Sequence, residues 1–136
     1  MMNESIACII SSGSKVLLGK RLPSGSMGNR WEFPGGKVEP DETHEQAIIR
    51  ELKEEFGTSC SVGQKITSTS FENNSKKYNL YAYDVKIDLD ISELVLTEHS
   101  QVEWKEITDI PSLEFVDSDN KIYPEVKKYI LGNVNA

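Results

Sequence analysis

Apolar side chains follow two rhythms along this chain. In "SIACII" (5–10) and "KVLLGKR" (15–21) they come in short bursts. Such bursts are too brief for a helix and predict strands, with "SSGS" between them as a hairpin turn. "LPSGSMGN" (22–29) reads as a Gly- and Ser-rich loop, and "WEFPGG" (31–36) as a brief strand ended by Pro34 and two glycines. The rhythm then lengthens to a helical one over about residues 44–56. Thr43 with Gln46 three residues on forms a capping box, and Gly57 stands where a helix C-terminal glycine belongs. "QKITSTSFE" (64–72) and "KKYNLYAYDVKI" (76–87) flank the turn "NNS" and predict a second hairpin. "LDISELVLTEHSQ" lacks a clear period and ends as a loop; "VEWKEI" (102–107) is a further strand. "YPEVKKYILG" (123–132) predicts a terminal helix with Pro124 in its first turn. No repeat or linker divides the 136 residues, so a single domain, 1–136, is expected. Strands and helices mix without regular alternation, which predicts an α/β (α+β) fold: a mixed sheet with helices packed on it.

The helix over 44–56 carries the chemistry. On a wheel of about 100° per residue, Ile48, Ile49, Leu52 and Phe56 share the expected core face. Gln46, Arg50 and Lys53 lie roughly opposite, toward solvent. Glu51, Glu54 and Glu55 form a third stripe at the edge of the apolar face, and like charges so spaced lower helix stability. Such a stripe is either a solvated face or a site. Two features favour a site: it borders the core face, and nothing basic lies within a turn on the same stripe. Enclosed carboxylates that share a site take up protons or hold a metal, and hard oxygen donors at this density suit Mg²⁺ or Mn²⁺.

Charge narrows the class further. A formal charge of −7 argues against a nucleic-acid partner, whose binding needs clustered Lys and Arg. An acidic protein binds a phosphorylated small molecule only with a cation between them. Cys8 and Cys60 are the only cysteines and read as buried small hydrophobes in a reducing compartment. "MMNESIACII" has neither the basic start nor the apolar length of a signal peptide, and no run is long enough to span a membrane. A cytoplasmic protein is expected, monomeric or homodimeric.

The spacing Gly36, five residues, Glu42, seven residues, Arg50-Glu51-Leu52, one residue, Glu54-Glu55, one residue, Gly57, Thr58 resembles the Nudix box of the Nudix hydrolases. Thr58 is the one departure, since the family usually has an aliphatic residue there. "WEFPGGK" (31–37) resembles the MutT-type branch, which cleanses nucleoside triphosphate pools. The resemblance implies an α/β/α sandwich with a central mixed sheet. It also implies Mg²⁺-dependent cleavage of a nucleoside diphosphate linked to another group. By position it makes Glu51, Glu54 and Glu55 metal ligands, with Gly35 lending its carbonyl. Arg50 orients a box glutamate, and Glu42 supports the loop.

Further residues follow from the same resemblance. Glu98 stands where that branch has a loop glutamate, as metal ligand or general base, with Glu55 as the alternative base. His99 beside it either takes a proton or is an exposed loop histidine. Arg21 and Lys37 flank the presumed site and either bind phosphate or lie on the surface; Phe33 and Tyr78 are either walls against a base or core aromatics. Asp119 is either a base reader or a helix cap or Asx turn. An ionised carboxylate accepts from an amino group and a protonated one donates, so cytidine-type, adenine-type and oxidised guanine substrates stay open. The expected reaction yields a nucleoside monophosphate and pyrophosphate, with 8-oxo-dGTP or a cytidine-type triphosphate as substrate. Hydrolysis of dinucleoside polyphosphates or ADP-ribose, and a non-catalytic nucleotide-sensing module, are the alternatives.

Overall fold

The computed structural model describes residues 3–25 and 27–134. In chain order its elements are β1 (Asn3–Ile9), β2 (Ser11–Ser12), β3 (Lys15–Arg21), β4 (Trp31–Glu32), β5 (Gly35–Lys37), α1 (His44–Phe56), β6 (Cys60–Asn73), β7 (Lys76–Ile87), β8 (His99–Glu106) and α2 (Asp117–Val134). Short 3₁₀ turns at Ile91–Glu93 and Ile107–Ser112 flank β8.

A mixed sheet runs in the order β5-β1-β7-β6, with β1 and β7 parallel and the other pairs antiparallel. A second, antiparallel sheet joins β2, β4 and β8 to β3. The hairpin expected from residues 5–10 and 15–21 is therefore split. Residues of β1 pair with β5 and β7, while Ser11 and Ser12 pair with β3 and the Leu17 N–H donates to Ile10 O at 2.8 Å. The apolar run marks a buried strand, but its backbone bonds go to more than one partner.

Both faces of β1 are covered, and its period of two sorts them. Ala7 and Ile9 join Leu80, Ala82, Phe115 and the Ile122, Val126 and Ile130 stripe of α2. Ile6, Cys8 and Ile10 join Leu17, Val85 and the Ala47, Ile48, Leu52 and Phe56 face of α1. The result is a helix layer on each side of the strands. Cys8 is buried and Cys60 half-buried, both unpaired.

α1 begins and ends where the capping residues dictate. Thr43 Oγ1 accepts from Gln46 N and the Gln46 side chain accepts from Thr43 N, while Gly57 adopts the left-handed conformation (φ 69°). Thr58, the departure from the box, is buried. Its hydroxyl donates to Ser59 O at 2.8 Å and accepts from Leu89 N at 3.4 Å, so the polar group is satisfied. The "NNS" turn places Asn74 and Ser75 at positive φ, the geometry of a two-residue hairpin turn.

Three boundaries differ from the sequence expectation. β6 starts at Cys60, before residue 64, because register shifts between Val62 and Thr67 break its alternation. β8 starts at His99, before residue 102. α2 starts at Asp117, so Pro124 lies inside the helix and not in its first turn. The helix tolerates this because Asn120, whose carbonyl a Pro124 N–H would have met, is exposed to water.

Candidate active site

Two glycines fix the loop before α1. Gly35 has φ 151°, and a Cβ there would lie 2.0 Å from Ile6 O on the neighbouring strand. A Cβ on Gly36 would lie 2.7 Å from the Glu51 carboxylate. The pair thus lets β5 press against β1 on one side and against α1 on the other.

Arg50 ties this loop to the helix. Its Nε donates to Glu42 at 2.7 Å, and its Nη2 to Glu42 at 3.0 Å and to Lys37 O at 3.0 Å. Nη1 reaches Glu51 at 2.9 Å and Glu54 at 3.3 Å. Arg50 is therefore not on a solvated face, and the glutamate stripe does have a basic neighbour, because the long side chain swings back along the helix. The pairing holds the Glu42 carboxyl below its ordinary range and keeps Arg50 firmly protonated. Glu42 in turn accepts from Glu39 N at 2.9 Å, closing the loop on itself.

The buried face of α1 is rotated from the expected one. Ile49 is 45% exposed, and Ala47 is buried in its stead. Glu55, expected at the edge, is 1% exposed and sits about 20° from Ile48 on the wheel, in the middle of the buried arc. Packing of β5 against the glutamate flank of the helix turns that flank inward.

One carboxylate oxygen each from Glu51, Glu55 and Glu98 lies within 4.8 Å of the others. Glu55 Oε2 is buried without a hydrogen-bond partner. Burial, then the charges of Glu51, Glu32 and Glu98, push the Glu55 carboxyl up to about 10, against a hydrogen bond from the Gly35 backbone. Burial raises Glu51 too, with Arg50 pulling the other way. An orphaned buried oxygen amid like-charged hard donors fits a divalent cation such as Mg²⁺ or Mn²⁺. Glu54 lies outside this group of three; its exposed carboxylate turns to Arg50.

These carboxylates border a cavity of about 710 Å³, whose lining includes Arg21, Phe33, Lys37, Phe71, Leu80 and Asp119. Asp119 is buried in the first turn of α2, where Oδ2 accepts from Phe33 N at 2.9 Å. It is thus neither a helix cap nor an Asx turn. Burial and Glu32 push its carboxyl up to about 8, with the Phe33 N–H and Arg21 acting against them. Phe33 packs edge-on against Phe115 at 5.2 Å. Lys37 Nζ lies 5.4 Å from the centre of the Tyr78 ring. Tyr78 is a core aromatic outside the cavity lining; it stacks at 5.1 Å on Phe71, its cross-strand partner, and Phe71 does line the cavity.

Two further residues are drawn in by the fold. Glu32 lines the cavity between Arg21 and His99, at 3.1 Å and 2.8 Å respectively. His99 is buried, not an exposed loop histidine. "WEF" carries Glu32 beside Phe33 in the sequence, but nothing local marks its partners, which come from two other strands.

A family model described as NUDIX domain matches residues 1–126. The chain is 42% identical over 84 residues to a CTP pyrophosphohydrolase of Escherichia coli K12, a match covering 62% of each chain. It is 46% identical over 57 residues to an 8-oxo-dGTP diphosphatase of Proteus vulgaris, covering 40% of this chain and 51% of that one. The matches thus span about half to three-fifths of those curated relatives. In shape the chain is similar to the E. coli ORF135 protein in solution, with a TM-score of 0.78 at 30% identity over 98% of this chain and 92% of that one. The MutT protein of Methanosarcina mazei has the same fold, with a TM-score of 0.80 at 23% identity over 94% of each chain.

Proposed function

Because the chain belongs to the NUDIX domain family, we propose that it is a Mg²⁺-dependent nucleoside triphosphate pyrophosphohydrolase, releasing a nucleoside monophosphate and pyrophosphate. The observation that carries this reading is the trio Glu51, Glu55 and Glu98, with oxygens within 4.8 Å, set at the border of a cavity of about 710 Å³. Ionised carboxylates and a triphosphate repel one another, at about 4 kcal/mol per pair of unit charges 4 Å apart near a protein surface, and without a cation Glu55 avoids part of that repulsion by keeping its proton. Mg²⁺, or Mn²⁺ in its place, held by Glu51, Glu55 and Glu98 with Glu54 and the Gly35 carbonyl, supplies charge neutralisation and Lewis-acid stabilisation of the phosphoryl group when bound.

The chain's own residues do the rest. Glu98 is exposed on its loop and accepts the proton of the attacking water; Glu55 is the alternative base. Arg50 orients Glu51 and Glu54 through its bonds of 2.9 and 3.3 Å. Arg21 and Lys37 bind phosphate oxygens. Phe33 and Phe71 flank the base, and Asp119 reads its edge. With its carboxyl near 8, Asp119 is mostly neutral at pH 7 and offers an O–H to an acceptor on the base. Its Oδ2 is already fixed by Phe33 N. The substrates that fit are an oxidised guanine nucleotide such as 8-oxo-dGTP or a cytidine-type triphosphate, which makes the protein a sanitiser of nucleotide pools. Two unpaired cysteines fit a reducing, cytoplasmic location, and no described helix is long and apolar enough to cross a membrane.

A panel of canonical and oxidised triphosphates with Mg²⁺, with pyrophosphate and orthophosphate measured separately, tests the reading. Pyrophosphate release from a preferred member supports it. Orthophosphate alone, or no turnover of any member, overturns it.

A further inference from the structure

The loop that presents Glu98 is pinned on both sides. Before it, Thr97 Oγ1 donates to the carbonyls of Glu54 at 3.0 Å and Glu55 at 3.3 Å, at the end of α1. After it, the His99 side chain is 0% exposed and stacks on Phe56 with ring centres 5.4 Å apart and planes 10° from parallel. His99 Nε2 lies 2.8 Å from Glu32 Oε2.

That last bond crosses a whole strand. Glu32 on β4 pairs with Gly19 on β3, and Gly19 pairs with Val102 on β8. The His99 ring fills the space a side chain on residue 19 would need, since a Cβ there would come within 2.5 Å of His99 Cδ2. The other Glu32 oxygen accepts from Arg21 Nη1 at 3.1 Å. One largely buried carboxylate is thereby joined to the residue after Glu98 and to Arg21 at the cavity wall.

Glu98 needs such anchoring. It is exposed, it sits on a loop, and the charge of Glu51 opposes its own. We propose that His99 and Glu32 are positioning residues: the His99–Glu32–Arg21 chain, laid over Gly19, holds Glu98 against Glu51 and Glu55 and fixes Arg21 at the cavity wall. This rests on the reading of the three carboxylates as a cation site.

The test is Mn²⁺ binding to the full chain without nucleotide, followed by electron paramagnetic resonance of the free ion. His99→Asn is too short to reach Glu32 and should weaken Mn²⁺ binding about tenfold, the low end for partners that orient metal ligands. His99→Gln places an N–H near the position of Nε2 and should restore most of the affinity. In a Glu98→Gln background, His99→Asn should add nothing, because both changes then remove the same contribution. Glu32→Gln, which keeps the shape of the side chain, should also weaken Mn²⁺ binding and raise KM through Arg21. Arg21→Ala should raise KM alone. Wild-type affinity in His99→Asn and Glu32→Gln, or full additivity with Glu98→Gln, overturns the positioning role. A wild-type chain that binds no Mn²⁺ overturns the cation site as well.

Discussion

Asp119→Asn offers a test that needs neither cation nor substrate. The carboxyl is buried in the first turn of α2 and pushed up to about 8, whereas an unfolded chain releases that proton at about 3.9. Burial is the main cause, and Glu32 adds to it. The sign follows from proton counting. Between those two values the folded state keeps a proton that the unfolded chain has given up, so stability falls as pH rises and levels off above about 8. Integrated from pH 5 to pH 8, Asp119 alone costs the fold about 3–4 kcal/mol. Asparagine keeps the shape, its oxygen still accepts from Phe33 N, and it does not titrate. The variant's advantage over the wild type should therefore grow by about 3–4 kcal/mol across that range, roughly 10 °C in Tm for a chain of this size. Other buried carboxyls, Glu55 among them, titrate in both proteins and cancel in the difference. The assay is a set of paired urea or thermal melts at half-unit steps from pH 5 to 8, with chelator present. Parallel stability curves for the two proteins, or an advantage that shrinks as pH rises, would refute the reasoning.

Other expectations concern the cation and the substrate. Turnover should vanish with excess chelator and return with Mg²⁺; full activity with chelator present removes the cation from the reaction. Glu98→Gln should lower kcat at least tenfold while changing KM little, since proton removal matters in the transition state; a change in KM alone would make Glu98 a binding residue. Gly36→Ala should leave Tm within a few degrees, because the flexible end of Glu51 can yield, yet weaken Mn²⁺ binding measured by calorimetry. Unaltered binding would show that Glu51 needs no fixed place. Asp119→Ala should reorder the preferred triphosphates by about tenfold while sparing the rate on the best one, worth about 1–3 kcal/mol of discrimination; an unchanged ranking retires it as the base reader.

What could be read from the chain was local. The bounds of α1 were legible because its capping box and its left-handed glycine act over three or four residues. The second hairpin was legible because its turn demands residues that tolerate positive φ. The box spacing named Glu51 and Glu55, and helix periodicity set them on one stripe, since a helix repeats every few residues whatever surrounds it. The wheel could not say which way that helix is rotated against the rest. Only packing on β5 turned Glu55 into the middle of the buried face and left Ile49 outside.

Distant partners were likewise decided by tertiary structure. β1 reads as one apolar strand, yet its pairing with β5 and β7, not β3, follows from how three segments close on one another. Arg50 was placed toward solvent by its angle on the wheel, but its length let it gather Glu42, Glu51 and Glu54. Asp119 meets Phe33 across 86 residues, and His99 meets Glu32 across 67. No period or cap spans such distances. A contact between remote side chains depends on loop closure, strand order and the space left by a residue such as Gly19, which the chain acquires only when its layers pack.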